Sequence, residues 1–263
     1  MPDSNPHTKP APRRVFITGA SSGLGAALVR CYAAQGAVLG LVARRGEMLQ
    51  ALVATLDTPC AIYALDVRDA AGLQQAAADF MQRFGVPDIV IANAGVSRGT
   101  LTDQAEDLPA FQAVFDINVM GMVHTFQPFM AAMRRAGSGR LAGIASVAGL
   151  RGLPGSGAYS ASKAAAISYL ESLRVELAGS GVSVTTLCPG FIRTPMTDVN
   201  PYRMPFLLDA EVAARKMARM IERRRRYVIL PWQMALIGRW LQWLPAWLWD
   251  ELTRNMKRKP RQF

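Results

Sequence analysis

Short, wholly apolar runs alternate with amphipathic stretches along most of the chain. Arg14–Thr18 (RVFIT) is a compact apolar run closed by glycine, the pattern of a strand. Ala37–Ala43 (AVLGLVA), Ala61–Leu65 (AIYAL), Asp88–Ala92 (DIVIA), Arg140–Ala145, Ser183–Cys188 and Tyr227–Leu230 (YVIL) repeat it. Between them the spacing predicts helices over Gly25–Gln35, Glu47–Leu56 and Ala71–Phe84, one long helix over Leu108–Arg135, and another over Tyr159–Ala178. A last helix starts at Asp209, read as its N-cap, and runs to Arg225. Seven short apolar strands separated by helices indicate a parallel sheet covered on both faces. Right-handed crossovers make a doubly wound sheet the natural topology. The expectation is one α/β domain over 13–231, a Rossmann-like, doubly wound parallel seven-stranded sheet with helices on both faces.

Directly after the first strand stands Thr18-Gly19-Ala20-Ser21-Ser22-Gly23-Leu24-Gly25. A glycine cluster at a strand-to-helix junction is the context a dinucleotide fingerprint requires. Gly19 permits the tight turn, Gly23 lets the backbone approach a pyrophosphate, and Gly25 lets helix and strand pack closely. The amides at the helix N-terminus then face the anion. The spacing is GxxxGxG rather than GxGxxG, so residues further along the chain must decide the family. About 20 residues on, at the end of the second strand, belongs the group that reads the ribose. An acid there would accept from a 2′-hydroxyl, but this chain carries Ala43, Arg44 and Arg45. Guanidinium groups suit a 2′-phosphate, so NADP(H) is favoured over NAD(H).

Ser146, Tyr159 and Lys163 come next, in that order. Tyr and Lys four apart share one helix face, with Cβ atoms about 5–6 Å apart. A lysine charge there is expected to lower the phenol pKa from its reference of about 10, giving a usable proton donor or acceptor. Ser146 stands just after a strand at the carboxyl edge of the sheet, where open α/β sheets bind ligands, and its hydroxyl can polarise a substrate oxygen.

With these motifs in this order, the sequence resembles the short-chain dehydrogenase/reductase family over about residues 13–231. The resemblance rests on residues 18–25, Asp66-Val67, Asn93-Ala94-Gly95, Asn118, Ser146, Tyr159 with Lys163, and Pro189-Gly190. It implies hydride transfer between a nicotinamide and a carbonyl or alcohol, with Tyr159 as general acid/base and Lys163 holding the nicotinamide ribose. Asp66 and Val67 would hold the adenine, and Asn93-Ala94-Gly95 would stabilise the sheet beside the cofactor. Asn118 would distort its helix and hold a water in a proton relay. Pro189-Gly190 would cover the nicotinamide, with Ile192 and Thr194 near the carboxamide. Arg44 matches the basic position associated with NADP. Ala145 departs from the pattern, where many relatives carry a second serine. The resemblance also implies a homodimer or homotetramer built through long helices. The rival is a non-catalytic NADP-binding scaffold or redox sensor.

Composition adds limits. At 51% apolar and 19% charged, the chain can bury a substantial core, which excludes bulk disorder. Three cysteines without CxxC spacing and two histidines exclude a disulfide scaffold and argue against a metal centre. Residues 1–12 carry four prolines and read as a disordered leader, with no secretory signal and no apolar run long enough to span a membrane, so cytoplasm is the default. The net charge of +11 is uneven: 13 of the 30 basic residues, but only 3 of the 19 acidic ones, lie in 213–263. All five tryptophans lie there too. In the extension 232–263, Trp240, Trp243, Leu244 and Trp247 are spaced as an apolar helical face, which Pro245 breaks into two short helices. Three fates stand open for it: packing on the body or across a subunit interface, docking on an anionic membrane surface, or binding nucleic acid, which lacks a recognised module here. The stretch between Pro195 and Leu208 carries Pro195, Pro201 and Pro205 with Met196, Tyr202, Met204, Phe206 and Leu207. It sits where the family places a substrate lid and suggests an apolar substrate.

Overall fold

Strands that are apolar on both faces must be covered on both, and only pairing with one another satisfies their backbone groups. In the computed structural model, which describes residues 11–200, 202–256 and 258–261, they pair as one sheet. The order along the chain is β1 (Arg14–Thr18), α1 (Gly23–Ala33), β2 (Val38–Ala43), α2 (Gly46–Val53), β3 (Cys60–Ala64), α3 (Ala70–Phe84) and β4 (Ile89–Ala92). It continues with α4 (Leu108–Phe115), α5 (Gly121–Arg135), β5 (Gly139–Ile144), α6 (Gly157–Glu176), β6 (Val182–Pro189), β7 (Ile192–Arg193), α7 (Pro195–Asp198) and β8 (Leu208–Asp209). The chain ends through α8 (Ala210–Glu222), β9 (Tyr227–Leu230), α9 (Trp232–Trp243) and α10 (Ala246–Thr253).

The main sheet has the order β3-β2-β1-β4-β5-β6-β9, and every pairing in it is parallel. The winding reverses between β1 and β4, which opens a crevice at their carboxyl ends. Alternate residues of β1 serve opposite cores, as a period of two requires. Val15 and Ile17 pack with Leu28, Tyr32, Met217 and Ile221 of α1 and α8. Phe16 packs on the other side with Phe80 of α3 and Phe129 of α5, at ring-centroid distances of 5.5 and 4.9 Å.

The seven strands and the helices between them fall within three residues of the sequence reading. Four details differ. The expected single helix over 108–135 is three pieces, because a π-helical turn, Asp116–Met120, separates α4 from α5. A two-stranded parallel ribbon, β7 with β8, carries the chain into and out of 195–207, and strands of two residues are too short to leave a periodic signal. Asp209 occupies the N-cap position of α8 but makes no side-chain cap; its carboxylate pairs with Arg193 at 3.0 Å. That helix stops at Glu222 rather than Arg225, as Arg224 takes a left-handed φ of 51°. Pro245 does divide the C-terminal extension into two helices. Of the expected leader, residues 1–10 lie outside the described residues.

Candidate active site

The cleft at the carboxyl ends of the strands begins with the glycine turn. Gly19 and Gly23 adopt φ of +66° and +53°, a region where side chains are strained. A Cβ on Gly19 would stand 2.7 Å from Ala94 Cα. The Asn93 amide donates to the carbonyls of Thr18 and Gly19 at 3.1 and 3.0 Å, so the end of β4 pins the turn from behind. Gly25 faces the same amide: a Cβ there would lie 2.7 Å from Asn93 Nδ2. Ser22, the N-cap of α1, is extended and makes no side-chain cap, and no acid stands in the first turn. The first amides of α1 therefore remain available to an anion. This cradle, closed to side chains and lined by uncapped amides, fits a dinucleotide pyrophosphate.

Arg44 and Arg45 stand exposed on the rim, and Arg45 donates to Ser22 Oγ at 3.2 Å. Asp66 is held below the ordinary carboxylate range, chiefly by the Arg68 guanidinium that bonds it at 2.8 Å. Val67 is locked by its neighbours: His124 Nδ1 lies 3.0 Å from its carbonyl oxygen, and a Cβ on Gly121 would come within 2.6 Å of its Cγ2. On the other wall, Gly190 N donates to Leu230 O at 2.7 Å, and Ile192 is buried. Thr194 reaches over the glycine turn, its Cγ2 only 3.1 Å from where a Cβ on Gly23 would sit.

Ser146 lies directly after β5. Its Oγ accepts from Ala148 N at 3.1 Å and lies 3.5 Å from Pro189 O. Tyr159 and Lys163 lie one turn apart on α6. Lys163 is buried, donates to Ile144 O at 2.8 Å and stands 5.8 Å from the centroid of the Tyr159 ring. Here the sequence expectation needs correction. Burial pushes the Tyr159 phenol up rather than leaving it lowered by Lys163, with the Ser146 hydroxyl opposing that shift. Burial also brings Lys163 down, to about 8. Desolvation is the largest influence on both groups.

Asn118 lies in the π-helical turn and is 1% exposed, one layer behind the cleft wall. Its Oδ1 accepts from Val96 N at 2.8 Å; its Nδ2 donates to Val96 O and to Ser162 Oγ, both at 3.0 Å. Ser162 Oγ in turn donates to the Tyr159 carbonyl at 2.8 Å. Both amide hydrogens of Asn118 are thus spent on stitching the β4 loop to α6, and a water there would have to use its carbonyl groups. A Cβ on Gly95 would sit 3.2 Å from Asn118 Oδ1 and 3.5 Å from Lys163 Nζ, so these two groups converge on Gly95.

One cleft gathers residues 19, 21–25, 44, 45, 66, 67, 93–95, 146, 159, 163, 189, 190, 192 and 194, every cofactor position expected from sequence and three of the four catalytic ones. Sequence reasoning missed Ser162, the link from Asn118 to Tyr159. A serine three residues after the tyrosine, on the same buried face, was the available signal. It also missed Val96, Ile117 and Thr197 on the cleft wall. Among the described residues no cluster of ligating side chains could hold a metal, and no helix is long and apolar enough to cross a membrane.

The C-terminal extension returns to this body. Arg151 donates to Leu244 O at 3.2 Å and stacks 5.2 Å from the Trp249 ring centroid, and Trp249 Nε1 donates to Gly152 O at 3.1 Å. Further on, Lys259 Nζ donates to Ser97 Oγ at 2.9 Å, and Arg261 pairs at 2.9 Å with the fully buried Asp107. The face expected of Trp240, Trp243, Leu244 and Trp247 loses its leucine. Leu244 turns inward where the helix breaks, while the three tryptophans are 62%, 86% and 71% exposed.

A parallel sheet with an anion cradle at its switch point, facing a serine, tyrosine and lysine, defines a nucleotide-dependent oxidoreductase. The short chain dehydrogenase family model matches residues 13–203. The chain belongs to that family. An uncharacterised oxidoreductase of Myxococcus xanthus is 37% identical over 250 residues, covering 93% of this chain and 98% of the relative. A 2-dehydro-3-deoxy-L-rhamnonate dehydrogenase (NAD(+)) of Sphingomonas sp. is 37% identical over 191 residues, covering 73% of this chain and 76% of that protein. The crystal structure of a short-chain dehydrogenase/reductase from Burkholderia phymatum in complex with NAD superposes with a TM-score of 0.79 at 27% identity, covering 96% of this chain and 98% of that one.

Proposed function

We propose that the chain is an NADP(H)-dependent carbonyl reductase or alcohol dehydrogenase that acts on an apolar substrate. The observation that carries this is the convergence of Ser146 and the Tyr159–Lys163 pair on the cleft that holds the glycine turn. A bound nicotinamide supplies or accepts the hydride. The chain's own groups manage the oxygen. The Tyr159 phenol, kept protonated at neutral pH by burial, donates to the alkoxide that forms as a carbonyl is reduced. Ser146 Oγ polarises that oxygen. Lys163, fixed by Ile144 O, holds the ribose side of the cleft. Asn118 positions Tyr159 through Ser162. The Sphingomonas and Burkholderia proteins are named with NAD, but the paired arginines at 44 and 45 here favour the 2′-phosphate of NADP. An apolar substrate is supported by Met196, Val199 and Phe206, 39%, 44% and 45% exposed in the segment beside the cleft mouth. Exposed Leu108, Met120 and Val175 on the long helical surfaces support homo-oligomers.

The test is NADPH consumption over a panel of simple ketones, retinoid-like, steroid-like and acyl carbonyls, with Tyr159→Phe as the comparison. The variant should lose about 10²-fold or more in turnover while binding NADPH as before. Equal turnover in the two proteins would remove the phenol from the mechanism.

A further inference from the structure

Helix α9 carries apolar side chains on two sides, but only one of these is covered. Its inner side packs on the body beside the cleft. Met234 lies against Gly190, its Cγ 3.1 Å from where a Cβ would be, and Gly238 abuts Leu150 four residues after Ser146. The outer side carries Trp232, Leu236, Trp240 and Trp243, at steps of four, four and three residues, exposed by 66%, 62%, 62% and 86%. Those steps fall within one narrow stripe of a 3.6-residue helix. Trp247 and Leu252 of α10 are exposed as well, by 71% and 55%. Contiguous exposure of this kind marks an interaction surface. By contrast Trp249, the tryptophan that faces the body, has its indole N–H satisfied by Gly152 O.

We propose that this stripe docks the enzyme on an anionic lipid bilayer, with α9 and α10 lying in the interface plane. Tryptophan is the side chain best suited to the boundary between headgroups and acyl chains. The surrounding charge has the matching sign. Arg254 and Arg258 of this extension stand exposed, whereas Lys259 and Arg261 are turned inward to Ser97 and Asp107. Arg223, Arg224, Arg225 and Arg226 add an exposed basic run at the far end of the edge strand β9. A second copy of the chain is the poorer occupant, because a two-fold pairing through this stripe brings two such basic segments together. Nucleic acid is poorer still, since Leu236, Ile237 and Leu252 add aliphatic surface that no phosphate or base requires. Because the inner side of α9 touches Gly190, which lines the cleft, docking brings the cleft close to the lipid surface. Resting on the function proposed above, the substrate is then a carbonyl or alcohol dissolved in the bilayer.

The experiment floats the full-length chain with vesicles of phosphatidylcholine, with and without about one-third phosphatidylglycerol. Salt is varied from about 0.1 M to about 1 M, which shortens the Debye length from roughly 10 to roughly 3 Å. The comparison is Trp240→Ser/Trp243→Ser/Trp247→Ser, whose folding is checked by NADPH binding. The native chain should float with anionic vesicles and less so at high salt. The emission of its tryptophans, all in this segment, should shift to the blue. The triple variant should lose about tenfold or more in partitioning, yet still reduce a short water-soluble ketone. The proposal is overturned by flotation that is absent, equal on neutral vesicles or unchanged in the variant. It is equally overturned by a dimer in sedimentation, or nucleic-acid retention, that the variant abolishes. Flotation needs no turnover, so its failure and a failure of the proposed chemistry are separate results.

Discussion

Substituting Gly25 by alanine should cost far more than a methyl group's size suggests. The new Cβ would stand 2.7 Å from Asn93 Nδ2 and 2.8 Å from the Gly19 carbonyl carbon, and nearer still to the Gly19 oxygen. Ordinary contact begins near 3.4 Å, so the Gly19 carbon alone would have to give by about 0.6 Å and its oxygen by more. The atoms in the way are not the far end of a flexible side chain. Gly19 is held in a left-handed turn against Ala94, and Asn93 Nδ2 is tied to two carbonyls. Overpacking of this kind costs about 1–3 kcal/mol, and loosening two buried hydrogen bonds adds about 1 kcal/mol. A loss of roughly 2–4 kcal/mol lowers Tm by about 5–15 °C in a domain of this size. The turn amides would shift as well, so NADPH affinity should fall together with stability. Gly152→Ala is the matched control, because nothing lies within 4 Å of its Cβ position and its φ is not left-handed. It should be neutral or gain up to about 1 kcal/mol from reduced unfolded-state freedom. Calorimetry on both variants and a fluorescence titration with NADPH decide the matter. A Gly25→Ala protein with native Tm and native cofactor affinity would refute the close-packing argument.

The cleft gives two further expected outcomes. Arg44→Ala/Arg45→Ala should weaken NADPH binding about 10- to 100-fold, the worth of charge-assisted bonds to a phosphate, and leave NADH binding unchanged; equal losses for both cofactors in paired titrations would sink the 2′-phosphate reading. For Lys163, the folded pKa of about 8 lies below its ordinary 10.5, so between those pH values the unfolded chain binds more protons and stability rises with pH. Between pH 7 and 9 the native chain should gain about 1 kcal/mol that Lys163→Met does not. Urea midpoints at the two pH values measure this, and identical pH responses would show that burial is not what depresses the lysine.

Much of the cofactor half was legible because its determinants are local. Gly19, Gly23 and Gly25 sit within one turn, and Arg44 and Arg45 close the next strand. Tyr159 and Lys163 announce themselves by helical spacing. What escaped sequence reasoning depends on contacts between distant segments. Periodicity read 108–135 as one helix, and only the family resemblance implied a distortion at Asn118; the π-helical turn at 116–120 has Asn118 bonded to Val96, 22 residues away, and no short window of the sequence contains both partners. The direction of the Tyr159 shift was misjudged for the same reason. Pairing it with Lys163 is a four-residue fact, whereas its desolvation comes from segments separated by dozens of residues. The tail shows the limit of periodicity, which marked tryptophan, leucine and tryptophan as one face but could not foresee that Leu244 would turn inward at the helix break.

Several departures from good folding practice lie around the cleft. Lys163 is buried and makes no ion pair among the described residues, a costly arrangement that a core built for stability would replace with an apolar side chain. The N-terminus of α1 has no side-chain cap, although Ser22 could provide one. A helix is interrupted by a π-helical turn behind the catalytic face. Phe206, in the apolar segment beside the mouth, holds a left-handed φ of 56° that suits glycine. Exceptions away from the cleft are Tyr32 of α1, Arg140 of β5 and Thr185 of β6, each with a buried polar atom left without a hydrogen-bond partner among the described residues. The exceptions gathered around one crevice lie where the proposed chemistry would draw on bare amides, a fixed cation and a phenol.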